Sequence, residues 1–419
     1  VRMSINFHLN NLRCNSKLKN LFLNKEIIMN SKKTDANFLM IAKTMHGLEN
    51  VLAEELEKLG ATNIKKQIRA VEFYGDKPLL YKSNICLRTA LRILKPISTF
   101  KVTNENQLYT KTKELNWEKY ISLNDTFLIN TTISNSKKFN HNQYVSQKIK
   151  DAIVDQFREK YGRRPSINKY TPTVRFNMHI NNEVCQLSID SSGESLHKRG
   201  YRVQKGEAPI NEVLAAGIIL LSNWDQKTIL KDPMCGSGTI LIEAGMIAKN
   251  QAPNINRKRF GFMNWKDFEK SVFEEIKKET RNKEKIYIKK IEGSDYHFGA
   301  ISSCRKNSSA ANLSEILELK RFNFFKQNKD HEKRHIIFNP PYGERLEISE
   351  DDFYEKLGNI FKRHYTNSII WIITSDFKNA QSIGLRPSKK IQLFNGSLEC
   401  RLLKYELYSG SKKNKSNNL

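Results

Sequence analysis

The sequence has no apolar run long enough to cross a membrane. Its longest apolar stretches, such as the one from Ser368 to Thr374, have the length of a buried strand, whereas a membrane-spanning helix needs about 20 mostly apolar residues. This absence excludes a protein anchored by transmembrane helices. At 419 residues the chain is too long for one ordinary domain, so we expect a soluble protein of two or three compact units.

Cysteine pairs at metal-ligand spacing are also missing. A structural zinc site or a disulfide framework normally shows itself in closely spaced cysteines and histidines. The six cysteines form no C-x-x-C pair and have no histidine partner at ligand spacing; they are Cys14, Cys86, Cys185, Cys235, Cys304 and Cys400. We therefore expect no bound metal, no disulfides and a cytoplasmic protein in a reducing environment.

Acidic residues are outnumbered by basic ones. The chain holds 44 Asp and Glu against 71 Lys and Arg, which gives a net charge of +27. Because such an excess attracts phosphate backbones, it favours a nucleic acid as the partner; no membrane partner is expected, since no apolar run is long enough to span a membrane. The alternative is a compositional bias of the organism, since Lys, Asn and Ile are frequent along the whole sequence.

One basic stretch near the middle of the chain has two tyrosines, Tyr161 and Tyr170, interleaved with it. Phosphate contact and a merely solvated surface are both open interpretations of such a stretch. Its basic residues are Arg163, Arg164, Lys169, Arg175, Lys198, Arg199, Arg202 and Lys205.

Neither end of the chain has the pattern of a folded unit. Residues 1–28 contain no clean apolar core followed by a small-residue cleavage site, and Met29 is a candidate natural start. We predict that residues 1–36 are an unassigned, disordered extension. We also predict that residues 409–419 form a disordered basic tail.

Two α+β units are predicted before residue 201. The first begins with a strand from Phe38 to Thr44, and the leucines that follow mark one face of a helix. The second contains the alternating strands Val174–Ile180 and Val184–Asp190, joined by a turn at Asn181-Asn182. Their other predicted elements are the strands Arg69–Tyr74 and Thr126–Ile133 and a helix that buries Val145, Ile149, Ala152, Ile153 and Phe157.

Strands and helices alternate after residue 201. Such alternation predicts a parallel sheet covered on both faces, and a helix from about Asn211 to Leu221 precedes it. The fold class is therefore α/β, a doubly wound, Rossmann-like sheet. It closes with an antiparallel hairpin, because Lys390–Phe394 and Ser397–Leu407 flank Asn395-Gly396, a type I′ turn signal. The predicted parallel strands are Thr228–Lys231, Ile286–Gly293, Arg334–Phe338 and Ser368–Thr374, with a weaker one near Phe322–Phe325.

The first site signal is a glycine-rich loop that follows a strand and opens a helix. It runs D-P-M-C-G-S-G-T from Asp232 to Thr239. Its glycines let the backbone turn tightly and approach a ligand at a helix N-terminus. The Gly-Lys-Ser/Thr of a phosphate loop and the G-x-G-x-x-G of a dinucleotide fingerprint are both absent. The acid that ends the strand suits a ligand with a cationic amino group; the alternative is a plain strand-to-helix turn.

The second signal is Asp295, at the C-terminal end of the next strand. Ligands of open α/β sheets lie beyond the strand C-termini, where an acid can accept hydrogen bonds from both hydroxyls of a ribose. Alone, such an Asp is often a helix N-cap. Paired with the glycine loop, it indicates a bound nucleoside.

The third signal is Asn339-Pro340-Pro341-Tyr342, directly after a predicted strand. The lone pair of an aromatic amine is delocalised into its ring, so a site that methylates it should accept hydrogen bonds from both N–H groups. The Asn339 side-chain oxygen and the Pro340 carbonyl are suited to this, and no strong base is required. Tyr342 offers a ring on which a base can stack. The alternative is a Pro-rich turn.

Three segments resemble the THUMP-domain family of class I RNA guanosine N2-methyltransferases, most closely those of bacterial 23S rRNA. The segments are Asp232–Ala244 (D-P-M-C-G-S-G-T-I-L-I-E-A), Asn339–Leu346 (N-P-P-Y-G-E-R-L) and Asn395–Leu402 (N-G-S-L-E-C-R-L). The resemblance implies an α+β ferredoxin-like subdomain at residues 37–103, a THUMP RNA-binding domain at 104–200 and a class I methyltransferase domain at 201–408.

The resemblance also implies S-adenosyl-L-methionine as the cofactor. By position, Asp295 would then hold the ribose of the cofactor. The residues around its methionine part would be Asp232, Cys235, Gly236, Gly238 and Thr239, and those around the target guanine would be Asn339, Pro340 and Tyr342.

One position departs from the family pattern. Such enzymes usually carry an acid near the adenine amine after the third strand, and here Asn323 is the best candidate. An amide oxygen can still accept a hydrogen bond from that amine.

The implied reaction is methylation of the exocyclic N2 amine of a guanosine in 23S rRNA. The same reaction on tRNA is the first alternative, because THUMP domains also serve tRNA enzymes. DNA adenine N6-methylation shares N-P-P-Y but leaves the N-terminal half unexplained, and a non-catalytic RNA-binding protein is the remaining alternative. The oligomeric state is left open, with a monomer as one option.

Overall fold

Two β-sheets organise the chain, and the computed structural model describes them within residues 37–204, 209–327, 332–341 and 350–408. The elements of the first sheet are β1 (Phe38–Lys43), α1 (Glu49–Lys58), β2 (Thr62–Gln67), β3 (Ala70–Gly75), α2 (Lys77–Cys86), β4 (Arg92–Lys101), α3 (Glu105–Lys113), β5 (Thr126–Ser134), α4 (Asn142–Tyr161), β6 (Ser166–Ile167), β7 (Val174–Asn181) and β8 (Val184–Asp190). The eight strands lie in the order β2-β3-β1-β4-β8-β7-β5-β6.

Helix α4 packs on this sheet through residues at helical spacing. Val145, Ile149 and Ile153 are buried, and they share a core with Val174 and Phe176, which alternate along β7. The turn between β7 and β8 has a left-handed residue, Asn182, which asparagine tolerates better than most side chains. These elements confirm the predicted strands and the predicted helix face.

Strand β4 joins the two predicted N-terminal units into one sheet. It pairs with β1 on one side and with β8 on the other, antiparallel in both cases. Its register with β8 shifts between Pro96 and Ser98, where proline has no N–H to donate to the ladder.

The second sheet begins after residue 209. Its elements are α5 (Glu212–Leu221), β9 (Ile229–Asp232), α6 (Thr239–Ala248), α7 (Lys270–Arg281), β10 (Ile291–Asp295), α8 (Phe298–Ala310), β11 (Leu317–Arg321), β12 (Arg334–Phe338), α9 (Glu350–His364), β13 (Ile369–Thr374), β14 (Lys389–Asn395) and β15 (Leu398–Glu406). The strand order is β11-β10-β9-β12-β13-β15-β14. The first five strands of this order pair in parallel, and the hairpin β14–β15 adds antiparallel strands to β13. This confirms the predicted doubly wound sheet with its closing hairpin.

Helix α5 is almost entirely apolar, which is typical of a helix that is buried on all its faces. All its residues from Glu212 to Ile219 are buried. Gly217 lets the helix approach Leu48 of the N-terminal half, since a Cβ there would lie 2.6 Å from Leu48 Cδ2. The core of the second sheet therefore includes residues from the first half of the chain.

Two predicted strands of the parallel sheet were misplaced. The strand predicted at Ile286–Gly293 begins only at Ile291, and Ile286 and Ile288 are 92% and 87% exposed. The neighbouring strand β11 pairs with β10 from Ile291 onward, and β9 pairs with it from Glu292 onward, so the earlier residues have no ladder to join.

The strand predicted near Phe322–Phe325 is wrong, and the third strand is Leu317–Arg321. Phe324 instead begins a 3-10 helix, Phe324–Lys326, and is buried with Phe338, Phe361 and Tyr365 in an aromatic core. Burial of this ring against distant residues outweighs the local β-propensity of the phenylalanines.

The hairpin turn also differs from the prediction. Asn395 pairs with Leu398 and has a normal φ, so the two loop residues are Gly396 and Ser397. Only Gly396 is left-handed, with φ of 67°. A single left-handed glycine at the first loop position indicates type II′ rather than the predicted type I′.

Among the described residues, the other short helical turns are the 3-10 helices Trp117–Lys119, Gly261–Asn264 and Asn379–Ile383. Across the parts of the chain that the structure describes, no helix is long and apolar enough to span a membrane. Within the same parts, no three His, Cys, Asp or Glu residues come together as a potential metal site.

Candidate functional site

The site lies where the strand order of the second sheet reverses. The chain proceeds from β9 to β10 and β11 on one side and then returns to place β12 on the other side of β9. A crevice beyond the carboxyl ends of such neighbouring strands is the usual ligand position in open α/β sheets. The glycine loop follows β9, Asp295 ends β10 and Asn339 follows β12, so the three sequence signals meet at one edge.

The two glycines of the loop both have left-handed backbones, but their surroundings differ. Gly238 donates its N–H to the Cys235 carbonyl at 2.8 Å, and a Cβ at this position would overlap the Cys304 sulfur on α8. A Cβ at Gly236 would have no heavy atom within 4 Å. Gly238 is therefore required by packing, whereas the space beside Gly236 is open to a ligand.

Asp295 fixes the loop from the neighbouring strand. Its Oδ2 accepts a hydrogen bond from the Gly236 N–H at 3.0 Å, and its Oδ1 accepts one from the His297 N–H at 2.9 Å. Each carboxylate oxygen keeps a further lone pair, so the side chain can still accept from two hydroxyl groups.

Asp232 is an almost fully buried acid at the end of β9. Its side chain is 2% exposed and accepts one backbone hydrogen bond, from Met234 at 3.1 Å. Burial raises the pKa of this carboxyl well above its usual value, and the negative charge of Asp295 adds to the effect. A cation bound beside the two acids would relieve both penalties, which suits a ligand with an ammonium group.

Cys235 and Thr239 flank the glycines. The Cys235 N–H donates to the Ser294 carbonyl at 2.9 Å, and a hydrogen bond with Cys304 together with burial raises the pKa of its thiol well above the usual value. Cys235 is therefore a neutral thiol that packs, since a nucleophilic cysteine needs a lowered pKa. The Thr239 hydroxyl accepts a hydrogen bond from Arg202 Nη2 at 3.3 Å.

Asn339 and Pro340 continue directly from β12, all of whose residues are buried. Pro340 is itself buried, and Asn339 is partly exposed at the edge of the sheet. Tyr342, the third residue predicted to hold the target base, lies outside the described residues.

Asn323 lies at the same edge, one strand further out. Its Oδ1 accepts a hydrogen bond from the Phe325 N–H at 2.9 Å and so caps the 3-10 helix. The preceding residue, Phe322, donates to the Asp295 carbonyl at 3.0 Å. Asn323 is therefore next to the expected ribose position, and its role at the adenine amine stays a prediction.

The structure adds a residue that the sequence analysis missed, Asn307 on α8. Its Oδ1 accepts from the N–H groups of Val203 and Gln204 at 3.0 and 2.9 Å, and its Nδ2 donates to the carbonyls of Gln204 and Ser237 at 3.0 and 3.1 Å. The sequence signal that could have found it is an amide at helical spacing from the apolar residues Ile301 and Cys304, on the face of α8 that is buried.

The basic stretch is divided by the fold. Arg199 is fully buried in an ion pair with Glu243, and Arg202 pairs with Glu212 at 2.8 Å, so both have structural partners. Arg175 and Lys198 both pair with Glu194, and Lys205 lies outside the described residues. The members exposed without such roles are Arg163, Arg164 and Lys169, beside an 85% exposed Tyr170.

Three family profiles match consecutive parts of the chain. They are the RlmL ferredoxin-like domain at residues 39–94, the THUMP domain at 102–190 and the RMKL-like methyltransferase domain at 199–404. Two solved structures have the same architecture. SMU.472, described provisionally as a methyltransferase and complexed with SAH, is 30% identical with a TM-score of 0.79 and covers 90% of this chain and 100% of its own. A Listeria monocytogenes protein that is described as a predicted N6-adenine-specific DNA methylase is 30% identical. Its TM-score is 0.79, and the match covers 90% of this chain and 97% of that protein.

Curated relatives agree with these matches. The protein slr0064 of Synechocystis sp., named provisionally as an RNA methyltransferase, is 36% identical over 370 residues, which are 88% of this chain and 96% of slr0064. The ribosomal RNA large subunit methyltransferase K/L of Syntrophotalea carbinolica is 34% identical over 386 residues, 89% of this chain and 54% of that protein. The chain thus spans about half the length of the K/L proteins that it matches. The resemblance inferred from the motifs and the predicted fold class are both confirmed: the chain belongs to the RMKL-like family of THUMP-domain methyltransferases.

Proposed function

We propose that this protein uses S-adenosyl-L-methionine to methylate the exocyclic N2 amine of a guanosine in 23S ribosomal RNA. The observation that carries the proposal is the meeting of the glycine loop, Asp295 and Asn339-Pro340 at the reversal point of one sheet. The first two features are suited to an amino-acid nucleoside and the third to an aromatic amine.

The residues around the glycine loop fit the cofactor. The open side of Gly236 leaves room for the methionine part, and an ammonium group beside the buried Asp232 would offset the burial that raises the pKa of this carboxyl. Asp295 retains lone pairs for the ribose hydroxyls, and the hydrogen bond between Phe322 and Asp295 supports a contact of the neighbouring Asn323 with the adenine amine. When bound, S-adenosyl-L-methionine supplies an electrophilic methyl group on a positively charged sulfur.

Asn339 and Pro340 orient the target amine. Two acceptors that hold both N–H groups rotate the amine so that its lone pair faces the methyl donor instead of the ring. The buried Pro340 and the fully buried β12 fix these acceptors in advance, and such positioning lowers the barrier without a strong base. The proton that the methylated amine must lose can then pass to water.

RNA as the substrate is supported by charge and by the N-terminal half. The net charge is +27, the THUMP profile covers residues 102–190, and Arg163, Arg164 and Lys169 expose their charges beside Tyr170. The names of slr0064 and of the K/L proteins support RNA and, for the latter, the large ribosomal subunit. We place the reaction in the cytoplasm, where ribosomal RNA is made in bacteria.

The test is nucleoside mass spectrometry on RNA from a deletion strain, separated into 23S rRNA, 16S rRNA and tRNA. We expect N2-methylguanosine to fall in the 23S fraction and to return when the wild-type gene, but not an Asn339→Ala gene, is restored. Loss of the mark from tRNA instead would establish the alternative substrate. Unchanged N2-methylguanosine in all fractions would refute the proposal.

DNA adenine N6-methylation is the second candidate, because the Listeria monocytogenes neighbour is described as such an enzyme. The same deletion strain distinguishes the two reactions. A loss of N6-methyladenine from genomic DNA, with N2-methylguanosine unchanged, would favour this candidate.

A further inference from the structure

A short connector, residues 201–204, leads from the N-terminal half into the methyltransferase domain and passes the glycine loop. Asn307 on α8 lies between the two segments. Its amide makes four hydrogen bonds of 2.9–3.1 Å, three to the backbone of Val203 and Gln204 and one to the Ser237 carbonyl inside the loop.

Packing alone does not account for an asparagine at this position. Asn307 is 1% exposed and lies in the last turn of α8, and a buried amide is costly unless it is hydrogen-bonded. Its oxygen accepts twice and its nitrogen donates twice, so the hydrogen-bonding capacity of the side chain is filled. An amide satisfied in this way holds its partners in one relative position.

Arg202 makes a second link between the connector and the loop. Its Nη2 donates to the Thr239 hydroxyl at 3.3 Å, and Glu212 holds its Nε at 2.8 Å. The connector is thus attached to both ends of the Ser237–Thr239 segment that opens α6. A shift of the connector would therefore strain the Ser237–Thr239 segment, and a shift of that segment would strain the connector.

We propose that Asn307 is a positioning residue of the cofactor site, which couples cofactor binding at the glycine loop to the order of the connector. The inference rests on the proposed cofactor. Asn307 does not touch the cofactor; it fixes the Ser237 carbonyl and thereby the turn at Gly236 and Gly238. By thermodynamic reciprocity, a ligand that stabilises the loop must also stabilise the connector.

The first test is amide hydrogen exchange of the wild-type protein with and without SAH. We expect SAH to slow exchange at Val203 and Gln204, whose N–H groups donate to Asn307, while amides in α4 on the first sheet are unchanged. Exchange at the connector that is the same with and without bound SAH would overturn the coupling.

The second test compares Asn307→Asp with Ser308→Ala by calorimetric titration with SAH. The introduced carboxylate keeps both acceptor bonds but cannot donate to Gln204 and Ser237, and its second oxygen would face their carbonyls. We expect SAH to bind about three- to tenfold more weakly, the effect of roughly one net hydrogen bond. Ser308 is the control, because it is equally buried on α8 but its side-chain hydroxyl donates to the Arg305 carbonyl of its own helix; the SAH affinity of Ser308→Ala should equal that of the wild type.

Equal SAH affinity in folded Asn307→Asp and wild-type protein would overturn the positioning role. Circular dichroism checks folding, and if Asn307→Asp does not fold, Arg202→Lys removes the second link and should also weaken SAH binding. Unchanged affinity of Arg202→Lys would in that case overturn the inference. A wild-type protein that fails to bind SAH would refute the proposed cofactor itself, so the two failures are distinguishable.

Discussion

Gly236 and Gly238 form a matched pair for substitution, because they share a backbone conformation but not their surroundings. Their φ angles are 54° and 84°. A Cβ at Gly238 would overlap the Cys304 sulfur, whereas a Cβ at Gly236 would meet no heavy atom within 4 Å. We predict that Gly238→Ala mainly destabilises the fold and that Gly236→Ala mainly obstructs the cofactor.

The magnitudes follow from two separate terms. A left-handed backbone costs an alanine about 1–2 kcal/mol, and this term applies at both positions. Overpacking against Cys304 adds roughly 1–3 kcal/mol at Gly238 alone. The free energy of unfolding should therefore fall by about 2–5 kcal/mol in Gly238→Ala and by about 1–2 kcal/mol in Gly236→Ala.

Urea denaturation measures the stability of each variant, and titration with SAH measures its cofactor affinity. Cys304→Ala removes the atom that a Cβ at Gly238 would overlap. In the Cys304→Ala background, Gly238→Ala should therefore lower the free energy of unfolding by less than it does in the wild type, and the difference should be most of the overpacking term. Gly236→Ala should lose SAH binding at little cost in stability. The reasoning is refuted if the Cys304 substitution recovers nothing, or if Gly236→Ala binds SAH as the wild type does.

Three further predictions concern single polar groups. Asn339→Ala should lower the methylation rate by roughly 100- to 1000-fold, as the loss of one preorganised hydrogen-bonding group does, while SAH titration and RNA gel shifts stay near wild type; a much smaller effect on the rate would contradict the role given to Asn339. Glu243→Gln should cost about 3–5 kcal/mol in urea denaturation, because it leaves Arg199 buried without its charge partner, whereas Lys198→Gln in an exposed pair should stay within about 1 kcal/mol. Asp232→Asn should bind SAH more weakly yet be more stable than the wild type at pH 7. Burial raises the pKa of Asp232 in the folded protein. The free energy of unfolding of the wild type should therefore fall as pH rises from about 4 towards that pKa, because the unfolded state ionises this carboxyl more easily. The gain in the urea midpoint should thus grow with pH, and a gain that shrinks with pH would contradict the assignment.

Local chemistry made much of the second sheet predictable. The strand Arg334–Phe338 was predicted with the bounds that the structure has, because the apolar run Ile336–Phe338, which ends just before Asn339-Pro340, fits a covered parallel strand. The start of strand β10 was predicted five residues too early, because isoleucines favour a strand wherever they occur in the sequence. Ile286 and Ile288 are exposed because no neighbouring strand extends to them.

The glycine loop shows the limit of a sequence motif. Its two glycines are equivalent in sequence, but packing against Cys304 constrains Gly238, and the ligand space constrains Gly236. The basic stretch shows the same limit, because Arg199 and Arg163 are equally basic residues. Only the fold buries one against Glu243 and exposes the other.

The sequence by itself determined the chemistry that adjacent residues can express. Asp232 followed by the glycine loop, and Asn339 followed by Pro340, are each set on a strand end by covalent order, so a parallel sheet brings them to one edge. Only the tertiary structure decided which distant groups complete the site. The four hydrogen bonds of Asn307 join the connector, α8 and the glycine loop, and hydrogen-bond partners so far apart in the chain are chosen by packing rather than by local pattern.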